Sequence, residues 1–162
     1  MTVTVNGIDP DIVEQIYSWI VVQGKRVFGR EAAKLLIDRQ AGSIEALLNA
    51  GILVKINSVI IPGINDSHIG KIAQVMAKRG ADIHNCIPLI PTANTVFSGL
   101  HEPDPALIHR VRSEAGIWLQ QMSHCARCRA DACGKIGEKT GGEAHFERLR
   151  LLTNGPAEAV CA

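Results

Sequence analysis

Three stretches of apolar residues along the chain predict the strands of a β-sheet. Residues 2–6 alternate β-branched side chains, which is typical of a short strand. Residues 52–61 form an almost continuous apolar run, and residues 81–90 form the third stretch. A continuous run of this kind indicates a strand of a parallel sheet that is buried on both faces.

Amphipathic stretches lie between these strands and predict helices. The pair Asp9-Pro10 is an N-cap followed by a proline, and it opens a helix over residues 10–22 that Gly24 ends. Further helices are predicted over residues 30–50, 67–78 and 105–122, with Gly42-Ser43 and Gly116 as candidate interruptions. The alternation of strands and helices predicts an α/β fold with a parallel sheet or barrel.

The length and net charge of the chain limit the kinds of molecule that it is expected to bind. The chain has 162 residues, the length of one ordinary domain, and its 17 Lys and Arg against 16 Asp and Glu give a net charge of only +1. No basic field is present to attract nucleic acid or an anionic membrane. The sequence contains no signal peptide and no apolar run of ~20 residues, so we expect a cytoplasmic protein that binds small molecules or proteins.

Polar residues interrupt the predicted strands near the edge where parallel sheets bind ligands. They are Asn6, Asn57, Ser58, Asn85 and Cys86. The carboxyl ends of parallel strands form the ligand sites of α/β folds, whereas a buried asparagine can also serve only to hydrogen-bond the fold. The occurrence of several such residues at corresponding strand ends favours a ligand site.

A cysteine-rich segment predicts a metal or iron-sulfur site. Residues 124–134 contain His124 and three of the five cysteines, Cys125, Cys128 and Cys133. Two residues between Cys125 and Cys128 allow one tight turn to direct both thiolates at the same metal. The spacing alone fits zinc and an iron-sulfur cluster equally.

Three segments together resemble a known enzyme family. They are Val-Lys-Ile-Asn-Ser-Val-Ile-Ile-Pro-Gly-Ile-Asn-Asp at 54–66, His-Asn-Cys-Ile-Pro-Leu-Ile at 84–90, and His-Cys-Ala-Arg-Cys-Arg-Ala-Asp-Ala at 124–132. The first resembles the fifth strand and following loop of the radical S-adenosylmethionine (SAM) enzymes. With residues 2–19, the three are similar to the branch of that family that matures the nitrogenase iron-molybdenum cofactor.

The resemblance implies a function in nitrogenase cofactor biosynthesis. Members of this branch take a carbon from SAM and fuse two 4Fe-4S clusters into an eight-iron, carbide-containing precursor. By resemblance, Cys125 and Cys128 are ligands of one substrate 4Fe-4S cluster, and Asn57 and Ser58 contact SAM. The implied partners are iron-sulfur cluster donors and the carrier or scaffold proteins of the nitrogenase cofactor.

The sequence departs from the family pattern at the catalytic cluster. Radical SAM enzymes carry a Cys-x-x-x-Cys-x-x-Cys loop, whereas the five cysteines here lie at or beyond position 86. The expected fold is therefore an incomplete parallel (β/α) barrel, about its second half. Residues 1–123 are assigned to the barrel half, 124–138 to a cluster-binding tail and 139–162 to a weakly patterned extension. No catalytic residue is assigned, and we expect no SAM cleavage without a complementary N-terminal half.

Two other classes of function are compatible with the residues. Cys125, Cys128 and Cys133, with His124, His145 or Cys161, could form a tetrahedral zinc site in a small interaction module. Alternatively, the chain is an inactive fragment, because half a barrel exposes parallel strand edges that favour aggregation or pairing with another chain.

Overall fold

A small parallel sheet organises the part of the chain that the structure, a computed structural model, describes, which is residues 1–122. Its strands are β1 (Thr2–Thr4), β4 (Lys55–Ile60) and β5 (Ile83–Pro88), in the spatial order β1-β4-β5. A separate antiparallel hairpin consists of β2 (Trp19–Val22) and β3 (Lys25–Phe28). The helices of this part are α1 (Pro10–Ile16), α2 (Gly29–Asn49), α3 (Ile69–Arg79) and α4 (Pro105–Gly116). The predicted α/β class with a parallel sheet is confirmed.

The strand register divides the sheet into two unlike faces. Thr4 pairs with Asn57, and Asn57 pairs with Asn85 in the next strand. Because side chains alternate between faces along each strand, these three residues share one face. Ile56, Ser58 and Ile60 lie on the other face and are fully buried there.

The buried face packs on a core of aliphatic side chains from the helices. Ile44 of α2, Ile72 of α3 and Val111 of α4 are fully buried in the same cluster as Ile56 and Ile60. Burying one such side chain contributes roughly 1.5–3 kcal/mol, so this layer of helices stabilises the sheet.

The sequence signals for helix ends are confirmed at several positions. Asp9 and Asp104 cap α1 and α4 through their carboxylates, each with a proline directly after it. Gly80 ends α3 in a left-handed conformation at φ 96°, which glycine adopts without a Cβ clash. Helix α2 continues through Gly42-Ser43, where the Ser43 hydroxyl donates to the Arg39 carbonyl at 2.8 Å.

The predicted helix over residues 10–22 is wrong in its second half. Helix α1 ends at Ile16, and residues 19–28 form the β2-β3 hairpin. Its two-residue turn has positive φ at both Gln23 (50°) and Gly24 (78°), which is the geometry of a type I′ turn. The β-branched residues before this turn favour a strand, and Gly24 turns the hairpin instead of ending a helix.

The last predicted helix is also too long. Helix α4 ends at Gly116, so residues 117–122 are not its continuation. Gln121 instead makes an isolated parallel bridge to His84 at the free edge of β5. None of the helices within residues 1–122 is both long and apolar enough to cross a membrane.

Asn65 joins the ends of β1 and β4 through its side chain. Its Oδ1 accepts from the Ile61 amide at 2.8 Å, and its Nδ2 donates to the carbonyls of Asn6 at 2.9 Å and Val59 at 2.8 Å. The residue is fully buried. Its carboxamide therefore satisfies backbone groups that the ladder leaves at the carboxyl ends of two strands.

Asn65→Ala is expected to lower the free energy of unfolding by about 2–4 kcal/mol, because it leaves three backbone groups at the strand ends, two of them in buried hydrogen bonds, without their partner. Urea unfolding followed by circular dichroism measures this loss. Gln74→Ala, which removes one exposed side-chain contact to Lys71, is the control and should change stability by less than about 0.5 kcal/mol. Equal effects of the two substitutions would show that Asn65 does not hold the strand ends together.

Candidate functional site

Two asparagine side chains in register form the core of the candidate site. Asn57 of β4 and Asn85 of β5 are direct partners across the strand pair. Within residues 1–122, Oδ1 of Asn57 and Oδ1 of Asn85 are buried and accept no hydrogen bond. Neighbouring strands lie about 4.8 Å apart, so the two carboxamides form one short polar row.

An acceptor that is buried without a donor destabilises the folded protein. The loss is about 1–3 kcal/mol for each group, and most buried polar atoms in native proteins have a partner. Asn65 shows that this fold can satisfy a buried carboxamide completely. The two unsatisfied acceptors in register therefore mark a place that suits a ligand with hydrogen-bond donors.

Asn6 has a structural role beside this row. Its Oδ1 accepts from the Val59 amide at 2.8 Å, and its Nδ2 donates to the Tyr17 hydroxyl at 2.9 Å. Burial raises the pKa of the Tyr17 phenol, and the hydrogen bond from Asn6 acts in the opposite direction. Both ends of the Asn6 carboxamide are thus used within the protein, unlike those of Asn57 and Asn85.

Ser58 points into the core and away from the asparagine row. Its hydroxyl donates to the Val5 carbonyl at 2.5 Å and lies 2.9 Å from Nε2 of His84. Because its single proton is used on Val5, Ser58 accepts from His84, which fixes His84 as the Nε2-protonated tautomer. SAM contact by Asn57 and Ser58 stays a prediction, and this geometry favours Asn57.

His84 and Cys86 are buried next to Ser58 on the helix-covered face. Sγ of Cys86 lies 3.8 Å from Nε2 of His84 and donates to Oε1 of Gln121 at 3.1 Å. Burial lowers the pKa of His84 to about 4. Burial also raises the pKa of the Cys86 thiol to about 12, partly offset by Arg112. Cys86 is therefore a protonated, buried thiol with a structural role.

The cysteines expected to bind metal lie outside the described residues. These are Cys125 and Cys128, and the same holds for Cys133, Cys161, His124 and His145 of the alternative zinc site. Within residues 1–122, no three His, Cys, Asp or Glu side chains come together in a way that could hold a metal ion. The assignment of Cys125 and Cys128 to a cluster stays a prediction.

Comparison with known proteins decides the family. No protein-family model matches the chain. A protein of Chlorobaculum tepidum described as FeMo cofactor biosynthesis protein NifB is 44% identical over 160 residues, which is 98% of this chain. The chain belongs to the NifB family. NifB of Klebsiella pneumoniae is 47% identical over 85% of the chain, and NifB of Azotobacter vinelandii is 36% identical over 94%.

The chain spans about a third of the length of these NifB relatives. It covers 38% of the Chlorobaculum protein, 30% of the Klebsiella protein and 31% of the Azotobacter protein. The matched region is the C-terminal part of NifB. The resemblance drawn from the three sequence segments is thereby confirmed at the level of the NifB family.

The sequence signal for Asn85 was present but incomplete. Lys55, Asn57 and Val59 share a strand face by their spacing alone, and Ile83, Asn85 and Ile87 have the same spacing. Only the register between β4 and β5 shows that Asn57 and Asn85 stand side by side. The Cys86-Gln121 contact joins residues 35 positions apart, and periodicity gives no signal for such a pair.

The low pKa of His84 predicts that the protein loses stability as the pH falls. The imidazole titrates near its usual 6.5 when unfolded and near 4 when folded, so the unfolded chain binds more protons below pH 6.5. The stabilisation is complete above pH 6.5 and declines toward pH 4. From pH 7 to pH 5 the expected loss due to His84 is about 2 kcal/mol.

Urea unfolding at pH 7 and pH 5 measures this change. His68, whose pKa burial also lowers, contributes in the same direction, so His84→Asn should reduce the pH dependence without abolishing it. Gln74→Ala, which removes an exposed contact and no titrating group, should leave it unchanged. A pH dependence that is the same in His84→Asn and the wild type would contradict the neutral, buried assignment of His84.

Proposed function

We propose that this chain contributes the C-terminal share of NifB function, the biosynthesis of the nitrogenase FeMo cofactor. The proposal is supported by NifB relatives at 36–47% identity over 85–98% of the chain. The structural observation that carries it is the row of two unsatisfied carboxamide oxygens on one face of the parallel sheet. The family assignment indicates which class of ligand to expect, and the oxygens of Asn57 and Asn85 indicate where it would bind.

The sheet of residues 1–122 suits one part of a radical SAM (β/α) barrel. Its strands are parallel, and the aliphatic core with helices α2, α3 and α4 lies on a single face. In a barrel, helices cover the outside while the other face of the strands lines the interior. We assign the face of Asn57 and Asn85 to such an interior. A complementary N-terminal half would supply the remaining strands and the catalytic cluster.

The residues on this face fit SAM as a ligand. SAM carries an ammonium group and two ribose hydroxyls. Each of these groups can donate a hydrogen bond to a carboxamide oxygen. Asn57 and Asn85 would hold one of these groups through their Oδ1 atoms. SAM, when bound, supplies the carbon for the cofactor precursor. The role of the two asparagines is to orient it and to satisfy their own buried acceptors.

Cys125 and Cys128 are assigned to a substrate 4Fe-4S cluster. Two thiolates supply half of the usual set of four ligands. The remaining ligands would come from elsewhere in the fold or from a partner, which agrees with a cluster that is delivered and later consumed. The corresponding partners are iron-sulfur cluster donors and the carrier or scaffold proteins of the nitrogenase cofactor.

Anaerobic reconstitution of the chain with iron and sulfide should produce the visible absorption of an iron-sulfur cluster. Cys125→Ser combined with Cys128→Ser should remove it, because serine lacks the soft sulfur ligand. Cys161→Ser is the matched control and should retain the absorption. The site assignment fails if the double variant binds as much iron as the wild type.

If Asn85 binds SAM, replacing it should weaken SAM binding without lowering the stability of the protein. Asn85→Leu should weaken SAM binding to the full chain by about tenfold, since it removes one buried hydrogen bond. The same change should leave the free energy of unfolding equal or higher, because an unsatisfied acceptor disappears. Calorimetric titration with SAM and urea unfolding measure the two quantities.

Ile87→Leu is the matched control on the same strand face, and neither quantity should change appreciably. If the Asn85→Leu variant binds SAM as tightly as the wild type, Asn57 and Asn85 do not form a SAM site. A large loss of stability in Asn85→Leu would show instead that Asn85 has a structural partner.

A further inference from the structure

Tyr17 carries a hydroxyl group whose proton has no acceptor within residues 1–122. The residue directly follows helix α1, and its backbone amide donates to the Val13 carbonyl at 3.0 Å. Its hydroxyl oxygen accepts from Nδ2 of Asn6 at 2.9 Å. A phenol hydroxyl can accept and also donate one hydrogen bond, so this contact leaves the donor available.

Asn6 cannot take the proton of Tyr17, because the orientation of its carboxamide is fixed. The oxygen Oδ1 of Asn6 accepts from the Val59 amide at 2.8 Å. A backbone amide can only donate, so the carboxamide turns its oxygen to Val59 and its NH2 group to Tyr17. The Tyr17 hydroxyl is therefore an acceptor toward Asn6, and its O–H bond is directed elsewhere.

Burial keeps the Tyr17 hydroxyl in the form that can donate. It raises the pKa of the phenol and outweighs the hydrogen bond from Asn6, which lowers that pKa. The hydroxyl is therefore protonated at neutral pH. Because the side chain is only half-buried, a ligand can reach it.

Tyr17 lies beside the sheet face that carries the two asparagine acceptors. Tyr17 and Val59 both pack against one apolar cluster, which includes Ile61. Val59 follows Asn57 by two positions, so it shares the face of Asn57 and lies about 7 Å further along the strand. The carboxyl end of this face thus combines acceptors from the asparagines, an apolar cluster and one donor from Tyr17.

We propose that the Tyr17 hydroxyl binds the purine ring of SAM by donating to one of its ring nitrogens. This proposal rests on the proposed function, in which SAM is the ligand of Asn57 and Asn85. A purine has apolar faces, which suit the apolar cluster beside Tyr17, and ring nitrogens that accept hydrogen bonds. The carboxylate of SAM would lose its hydration against such a cluster at a large cost in free energy, so the purine is the better match.

The experiment measures the affinity of the full chain for SAM and for three SAM analogues by calorimetric titration. The analogues carry 1-deaza, 3-deaza and 7-deaza purines, in each of which one ring nitrogen is replaced by a C–H group that cannot accept a hydrogen bond. Tyr17→Phe removes the hydroxyl and keeps the ring that packs on the apolar cluster. Ser18→Ala, at the exposed neighbouring position, is the matched control.

The wild type should bind one of the three analogues about tenfold more weakly than SAM, the effect of one lost hydrogen bond. Tyr17→Phe should bind SAM about tenfold more weakly than the wild type does, and it should not distinguish SAM from that analogue. A purely structural effect of Tyr17→Phe would instead weaken all four ligands and keep the discrimination. Ser18→Ala should resemble the wild type with every ligand.

The role of Tyr17 is overturned if Tyr17→Phe binds SAM as tightly as the wild type or keeps the wild-type discrimination. Equal affinity of the wild type for SAM and all three analogues would also overturn it. In each of these cases SAM still binds, so the proposed SAM site stands. A wild-type chain that does not bind SAM would refute the proposed site, and the role of Tyr17 with it.

Discussion

The register between β4 and β5 is the constraint on which the rest of the structure depends. Asn57 pairs with Asn85, and Ser58 pairs with Cys86. Because side chains alternate along a strand, this register places one pair on each face. A shift of β4 by one residue would move Ile56 and Ile60 off the helix-covered face and turn Asn57 toward the helices, away from Asn85. The core and the polar row therefore depend on the same alignment.

Side chains, and not further strand residues, satisfy the backbone at the carboxyl edge of the sheet. Asn6 accepts from the Val59 amide, Ser58 donates to the Val5 carbonyl, and Arg112 donates to the Cys86 carbonyl. The contacts of Asn6 and Ser58 use the backbone groups that the next step of the β1-β4 ladder would need. This edge thus combines satisfied backbone groups with the two asparagine acceptors that have no partner within residues 1–122. Because the neighbouring side chains Asn6, Ser58 and Asn65 all have partners, the two carboxamide oxygens without one stand out.

Local signals in the sequence predicted a large part of the fold. Asp9-Pro10, Gly80 and Asp104-Pro105 act through neighbouring residues, so the element ends that depend on them were correct. The β2-β3 hairpin was missed because Gly24 fits a helix end and a type I′ turn equally, and the partner strand decides between them. Asn57 was singled out from the sequence. Its partnership with Asn85, and the contacts of Cys86 with Gln121 and Arg112, join distant segments, which periodicity does not encode.

In the proposed site, the row of Asn57 and Asn85 receives hydrogen-bond donors of a ligand, whereas Asn6 and Asn65 hydrogen-bond the fold itself. Side-chain amide resonances of the full chain, followed by nuclear magnetic resonance during titration with SAM, test this most directly. The carboxamide signals of Asn57 and Asn85 should shift with SAM concentration, while those of Asn6 and Asn65 should stay in place. Shifts of equal size at all four asparagines, or none at Asn57 and Asn85, would contradict it.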